Sequence, residues 1–215
     1  MSSIERWESP DTKHADIEEI LYSQDVLKKR IAELGRELSE AYEGQLPLFA
    51  GVLTGAFVFF GDLVRAITIP IEVDFVAAHS YGHGMESSGK LDIKKDFRID
   101  PKGREVVLVE DIVDTGLTLN VLSKHIMDRG AKSVSICTLL DKRARRAAPV
   151  PNLKFIGFDC PDQFVVGYGI DWAERYRYLP YVGYLRPSVY SKAISEQEPA
   201  QDRFREEKTG CRNGC

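Results

Sequence analysis

"VVLVEDIVDTGLTL", residues 106–119, carries an apolar run straight into Glu110 and Asp111, with Asp114, Thr115 and Gly116 close behind. Carboxylates crowded this closely repel one another and cost desolvation wherever they are buried. The stretch reads as a buried strand that ends in acid, followed by a helix opening over residues 114–118. A helix start presents unpaired backbone N–H groups and the positive end of its dipole, an anion site suited to phosphate. Gly116 lets the backbone approach a ligand closely, and the hydroxyls of Thr115 and Thr118 can donate to phosphate oxygens. Carboxylates beside a phosphate are repulsive unless they accept from sugar hydroxyls or hold Mg²⁺. A plain acidic turn, with Asp as helix cap, accounts for one carboxylate but not for three. The stretch therefore predicts a sugar-phosphate site with a metal.

Outward from it, apolar runs and helical spacings alternate. Residues 25–42 place Leu27, Ile31, Leu34 and Leu38 on one helical face, with Asp25 as N-cap. "LFAGVL" (48–53), ended by Thr54 and Gly55, predicts a buried strand. Residues 57–67 have helical spacing at Phe57, Phe60, Leu63, Val64 and Ile67, and residues 71–78 alternate like a strand. A long polar stretch, 79–103, has the composition of a lid or binding loop. Beyond it, 105–109 predicts a strand and 118–130 a helix with Leu119, Leu122 and Ile126 on one face, closed by Arg129 and Gly130. Residues 133–140 and 154–159 are further strands. Strands apolar on both faces, alternating with helices, predict a parallel α/β sheet covered by helices. Ligands bind such sheets beyond the carboxyl ends of the strands, where the acids fall.

With 215 residues, 43% hydrophobic and 29% charged, the chain can bury a substantial core as one domain. A net charge of −4 gives no basic field to attract nucleic acid. The first residues have no apolar signal core and too many acids for a transit peptide. No apolar run approaches the roughly eighteen residues of a membrane span. The expectation is a cytoplasmic protein without nucleic-acid or membrane partners. The first two dozen residues are polar and expected to be loosely held, and the last 25 are expected to be disordered. Cys137 and Cys160 read as core; Cys211 and Cys215 read as tail, without the companions of a metal site.

The opening stretch resembles the signature of the type I phosphoribosyltransferases: a strand, two acids, then Asp-Thr/Ser-Gly-x-Thr. "VLTGAFVFFGDL" (52–63) is similar to that family's pyrophosphate loop and helix, and "VDFVAAHSYGHG" (73–84) to its strand and flexible catalytic loop. "LLDKRAR" (139–145) and "DQFVVGYGIDWAERYR" (162–177) are similar to the purine-binding half of its 6-oxopurine members, the hypoxanthine-guanine phosphoribosyltransferases. Motif order is kept over roughly residues 20 to 190. The resemblance implies a Rossmann-like parallel sheet flanked by helices, with a small hood subdomain. It implies a domain over 21–190, between a polar segment 1–20 and a tail 191–215. The implied reaction joins the ribosyl group of phosphoribosyl pyrophosphate to hypoxanthine or guanine, giving a nucleoside monophosphate and pyrophosphate. Mg²⁺ and a homodimer or homotetramer come with it.

The resemblance also assigns roles. Glu110 and Asp111 hold the ribose hydroxyls and metal, while Asp114, Thr115, Gly116, Leu117 and Thr118 hold the 5-phosphate. Leu53, Thr54 and Gly55 supply backbone donors to pyrophosphate, with a non-proline cis peptide in that loop; Ser80, Tyr81 and Arg177 complete that subsite. Lys142 donates to the exocyclic O6 of the purine, which biases the site against adenine. Phe164 stacks on the base, Val165 offers backbone groups to its edge, and Ile170 lines the pocket. Asp171 lies near a second Mg²⁺ and the exocyclic position of guanine. Asp114 is the general base for the purine N7 proton. Many relatives carry lysine where this chain has Thr54, which puts that loop's side-chain role in doubt. A xanthine-preferring enzyme and a nucleotide-sensing regulator on the same fold are the alternatives.

Two other patterns are weaker. "GMESSGK" (84–90) fits the spacing of a P-loop, but Leu91 stands where Ser or Thr is needed and no helix pattern follows. His79 and His83 are spaced like a metal pair but lack a third ligand.

Overall fold

The computed structural model describes residues 12–80 and 91–191. The chain opens with β1 (Ile17–Tyr22), α1 (Gln24–Ala41), β2 (Leu48–Leu53) and α2 (Phe57–Ala66). It continues through β3 (Glu72–Ser80), β4 (Leu91–Lys95), β5 (Glu105–Val113) and α3 (Leu117–Asp128). β6 (Ser133–Asp141), β7 (Leu153–Asp159), β8 (Val165–Val166) and β9 (Val182–Leu185) follow. Tyr81, His83, the glycine-rich 84–90 and the two tail cysteines lie outside the described residues.

Six strands form one sheet in the order β4-β3-β2-β5-β6-β7. β3, β2, β5, β6 and β7 are parallel, and β4 runs antiparallel at the edge. Successive side chains of β5 point to opposite faces. Val107 and Val109 join Leu34, Phe59 and Phe60 under α1 and α2, while Val106 and Leu108 join Leu119, Leu122 and Ile126 under α3. Coverage on both faces is why this strand is apolar at every position from Val106 to Val109. Strands β1, β9 and β8 make a separate antiparallel sheet, the hood, with its own cluster around Ile17, Val166 and Tyr176.

Several expectations need correction. Residues 17–22 are not loosely held: they form β1, paired with β9. Ser23, not Asp25, caps α1, accepting from the Val26 amide, and Asp25 lies in the first turn. Phe57 begins α2 half exposed, and Phe59 takes the buried position beside Phe60 and Leu63. The polar stretch after residue 79 is not one loop, because Leu91–Lys95 returns along β3 as a hairpin arm. β5 does not stop at the acids; it carries Glu110 and Asp111 and ends at Val113.

Asp74 fastens the base of that hairpin. Its buried carboxylate accepts from the amides of Phe75 (2.8 Å), Arg98 (2.7 Å) and Ile99 (2.8 Å), with Lys95 Nζ at 3.3 Å. Burial alone would raise its pKa, but the Ile99, Phe75 and Arg98 amides and the Lys95 ammonium bring it below the usual aspartate value. Stability from such a group is present above the unfolded pKa of about 3.9 and is lost as pH falls through the lower folded value. Asp74→Asn should therefore cost about 2 kcal/mol at pH 7 by urea unfolding. The gap from wild type should narrow as the pH is lowered below the unfolded value of about 3.9. A gap independent of pH would refute the assignment.

Candidate functional site

The loop between β5 and α3 is set from behind. The amides of Ala147 and Ala148 donate to the Thr115 carbonyl at 3.1 and 3.2 Å, and Arg146 Nε donates to the Asp114 carbonyl at 3.2 Å. Gly116 has φ +82°, and a Cβ there would lie 2.5 Å from Val150 Cγ2 and 3.0 Å from the Ala148 carbonyl, so glycine is required. With its carbonyls taken on that side, the loop turns toward a cavity of roughly 240 Å³. Leu53, Glu110, Asp114, Thr115, Gly116 and Thr118 line it. No side chain caps α3; the Leu117 amide makes a long 3.4 Å contact with Thr115 Oγ1. These helix-start amides are positioned for an anion.

Glu110 and Asp111 are adjacent, half-buried and coupled. Burial first, and the Asp111 charge second, push Glu110 well above the usual carboxylate range. Burial raises Asp111 as well, although Glu110, the Ile112 amide and the Arg177 charge pull against it. Asp114 adds a third feature: its Oδ1 is buried and has no hydrogen-bond partner. An orphaned buried acceptor facing a cavity is disfavoured in a free protein and suited to a ligand that donates a proton.

Across the cavity, the Leu53–Thr54 peptide is cis, in the loop where the sequence placed one. The Thr54 side chain is exposed. Gly55 lies so close to Asp111 Oδ2 that no Cβ fits, and Gly169 meets the Gly55 carbonyl in the same way. Arg177 is drawn into this junction. Its Nη2 lies 2.9 Å from both Asp171 Oδ1 and Glu174 Oε2, and its Nη1 donates to the Gly169 carbonyl at 2.9 Å. Asp171 is thus held by Arg177 and by the Glu174 amide (2.8 Å). Ser80 is the last residue of β3.

Lys142 reaches the site through strand register. β6 sets Asp141 opposite Val113, and the Lys142 amide donates to the Val113 carbonyl at 2.9 Å, which brings Lys142 alongside Asp114. Its buried Nζ donates to the Gln163 carbonyl at 2.8 Å and lies 3.4 Å from Asp162. Phe164 follows directly and is partly buried against Trp172 and Tyr190. Val165 and Ile170 are buried on the same segment, where Gly167, Tyr168 and Gly169 all have positive φ and fold the chain back.

The fold brings the acid pair, the phosphate loop, the cis-peptide loop, Arg177, Asp171 and Lys142 to one end of the sheet. Tyr81 cannot be placed, being outside the described residues. Sequence reasoning missed Ile112 and Val113, which line the cavity, and Asp141 and Arg146, which brace it. Asp141 closing an apolar strand was a usable signal, the same one that exposed Glu110.

A phosphoribosyl transferase domain matches residues 18–172. Over 182 residues the chain is 48% identical to the bifunctional protein TilS/HprT of Listeria innocua, covering 85% of this chain but 28% of that protein's length. It is also 48% identical to the hypoxanthine-guanine phosphoribosyltransferase of Bacillus subtilis, covering 83% of this chain and 98% of the relative. A crystal structure of a hypoxanthine phosphoribosyltransferase from Staphylococcus aureus superposes with TM-score 0.79 at 39% identity, covering 82% of this chain and 96% of that one.

The raised Glu110 carries a stability consequence. A carboxylate whose folded pKa exceeds its unfolded value weakens the fold as pH rises from the unfolded value through the folded one. Glu110→Gln should therefore raise the melting temperature of the ligand-free protein by a few degrees at pH 7. Well below the unfolded value of about 4.3, where both states are protonated, the gain should vanish. A lowered melting temperature at pH 7 would show that the acid supports the fold.

Proposed function

The chain belongs to the phosphoribosyl transferase family and, within it, to the hypoxanthine-guanine phosphoribosyltransferases, and from that premise we propose the reaction its site performs. The 5-phosphoribosyl group of phosphoribosyl pyrophosphate passes to N9 of hypoxanthine or guanine, giving the nucleoside monophosphate and pyrophosphate. The observation that carries this reading is Asp114: its Oδ1 is buried and unpartnered, and the residue directly follows Val113, whose carbonyl accepts from the amide of the buried Lys142.

The 5-phosphate is bound by the α3 start and the hydroxyls of Thr115 and Thr118. Glu110 and Asp111 accept from the ribose hydroxyls. As the bond from C1 to pyrophosphate breaks, the electron pair leaves with pyrophosphate and the ribosyl ring gains positive charge. Donors at Leu53, Thr54 and Gly55, with Arg177, receive the leaving group. The purine N9 closes the new bond to C1, and its N7 proton passes to Asp114 Oδ1. Lys142 donates to O6; adenine would present a donor there, so the site disfavours it. Phe164 stacks on the base, Val165 meets its edge and Ile170 packs below.

The donor set suits Mg²⁺. Two carboxylates whose ionised forms are disfavoured by burial and repulsion gain most from a hard cation, and Mg²⁺ is commonly held by one or two carboxylates plus substrate phosphates. Among the described residues, no group of three or more His, Cys, Asp or Glu forms a protein-only cage, which fits an ion brought with the substrate. Glu110 and Asp111 would hold it, with Asp171 near a second. When bound, Mg²⁺ offsets charge on the pyrophosphate. A homodimer or homotetramer in the cytoplasm completes the reading.

The direct test is steady-state turnover of hypoxanthine, guanine, xanthine and adenine with phosphoribosyl pyrophosphate and Mg²⁺. Hypoxanthine and guanine should be turned over, and adenine should not. Asp114→Asn should lower kcat by roughly 10²–10⁴. A loss under about threefold would remove Asp114 from the role of base.

A further inference from the structure

Phe164 belongs to a three-ring cluster that the reaction alone does not explain. Tyr190 lies beside it with ring centroids 4.8 Å apart and planes inclined by 32°. Trp172 meets Phe164 edge-on at 5.0 Å and 78°, and stands 6.3 Å from Tyr190 at 70°. Phe164 and Tyr190 therefore pack at a tilt, with Trp172 edge-on to both.

Tyr190 comes from a helical turn beyond β9, residues 187–191, and that turn is well fastened. The Leu185 amide donates to the Phe164 carbonyl at 2.9 Å, tying the end of β9 to the backbone of the very residue that Tyr190 covers. Arg186 grips the chain before β1, its amide on the Asp16 carbonyl (2.9 Å) and its Nε on the Ala15 carbonyl (2.8 Å). Within the turn, Val189 N–H donates to the Arg186 carbonyl at 2.9 Å and Ser191 Oγ to the Pro187 carbonyl at 2.7 Å.

We propose that Tyr190 is a positioning residue for the base: it backs one face of Phe164 and holds that ring in the orientation on which a 6-oxopurine stacks. The inference rests on the stacking role given to Phe164 above. A lone phenylalanine at a pocket wall must give up rotamer freedom when a base settles on it, which weakens binding by roughly 2- to 10-fold. A ring already packed on its far face, and fixed at its edge, has lost that freedom beforehand. The tyrosine hydroxyl has no part in this, so the ring alone should suffice.

The test compares Tyr190→Ala and Tyr190→Phe in the full chain. Tyr190→Ala should raise KM for hypoxanthine about 5- to 10-fold, with kcat and KM for phosphoribosyl pyrophosphate within about twofold of wild type. Tyr190→Phe should match wild type. Trp7 and Trp172 are the two tryptophans of the sequence, so a Trp7→Phe background leaves Trp172 fluorescence as a reporter of nucleoside monophosphate binding. Its titration should show the same loss of affinity. If Tyr190→Ala does not fold, Tyr190→Leu, bulky but without a ring, carries the same comparison. An unchanged base KM overturns the proposal. So does a lowered one, which would mean that Tyr190 covers the face the base needs, or an equal loss for both substrates, which would mean general damage. Absence of 6-oxopurine turnover by the wild type is a separate result; it sinks the substrate reading first and this inference with it.

Discussion

A methyl group added to Gly55 would strike the Asp111 carboxylate, and one added to Gly169 would strike the Gly55 carbonyl. The loop after β2 thus presents bare glycine backbone to the Asp111 side chain of β5 on one side and to the turns leading out of β8 on the other. Arg177 closes this junction over Asp171, near enough to Asp111 to favour its charge. Everything else in the site is disposed around it: the phosphate loop lies one strand-end beyond, and Lys142 is one ladder step across. At Gly55 and Gly169 the approach leaves no room for a side chain of their own.

That proximity is unfavourable in the free protein. Glu110 and Asp111 are held where ionisation is resisted, and Asp114 keeps an acceptor without a donor. The stability that tolerates them lies elsewhere, in the two apolar layers on either face of β5 and in anchors such as Asp74. A ligand that binds the folded state, bringing cationic charge and hydroxyl donors, relieves these groups and stabilises that state by mass action. The site is thus a local loss that the core sustains and the substrate reverses.

What the sequence revealed follows from how each element is buried. β2 and β5 are covered on both faces and read as unbroken apolar runs, and the three helices each have one buried face. β1, "IEEILY", carries two adjacent acids and packs on one side only, so its polar residues masked it. β8 and β9 have two and four residues, too few for any period to register. β4 is an edge arm rich in lysine, as exposed edges tend to be. At the site, the turn between β5 and α3 was legible because its residues are contiguous in the chain. Lys142, Phe164 and Arg177 became legible only through family resemblance. Their meeting depends on the β5–β6 register and on the positive-φ turns at Tyr168, Ala173, Glu174 and Tyr176. Asp141 signalled itself only as an acid closing an apolar strand, and Arg146 gave no signal beyond that of a basic turn.

The pairing of β1 with β9 sets Ile17 opposite Leu185, so the fold begins and ends side by side on the hood. The six-stranded sheet, with its acids and phosphate loop, is laid down entirely by the chain between them. The two ends could be linked to each other and the chain reopened at an exposed turn such as Gly44, which has φ +72° and open space around it. The order of elements along the chain would change, while the sheet and its site would not. Connectivity is therefore the most dispensable property of this architecture.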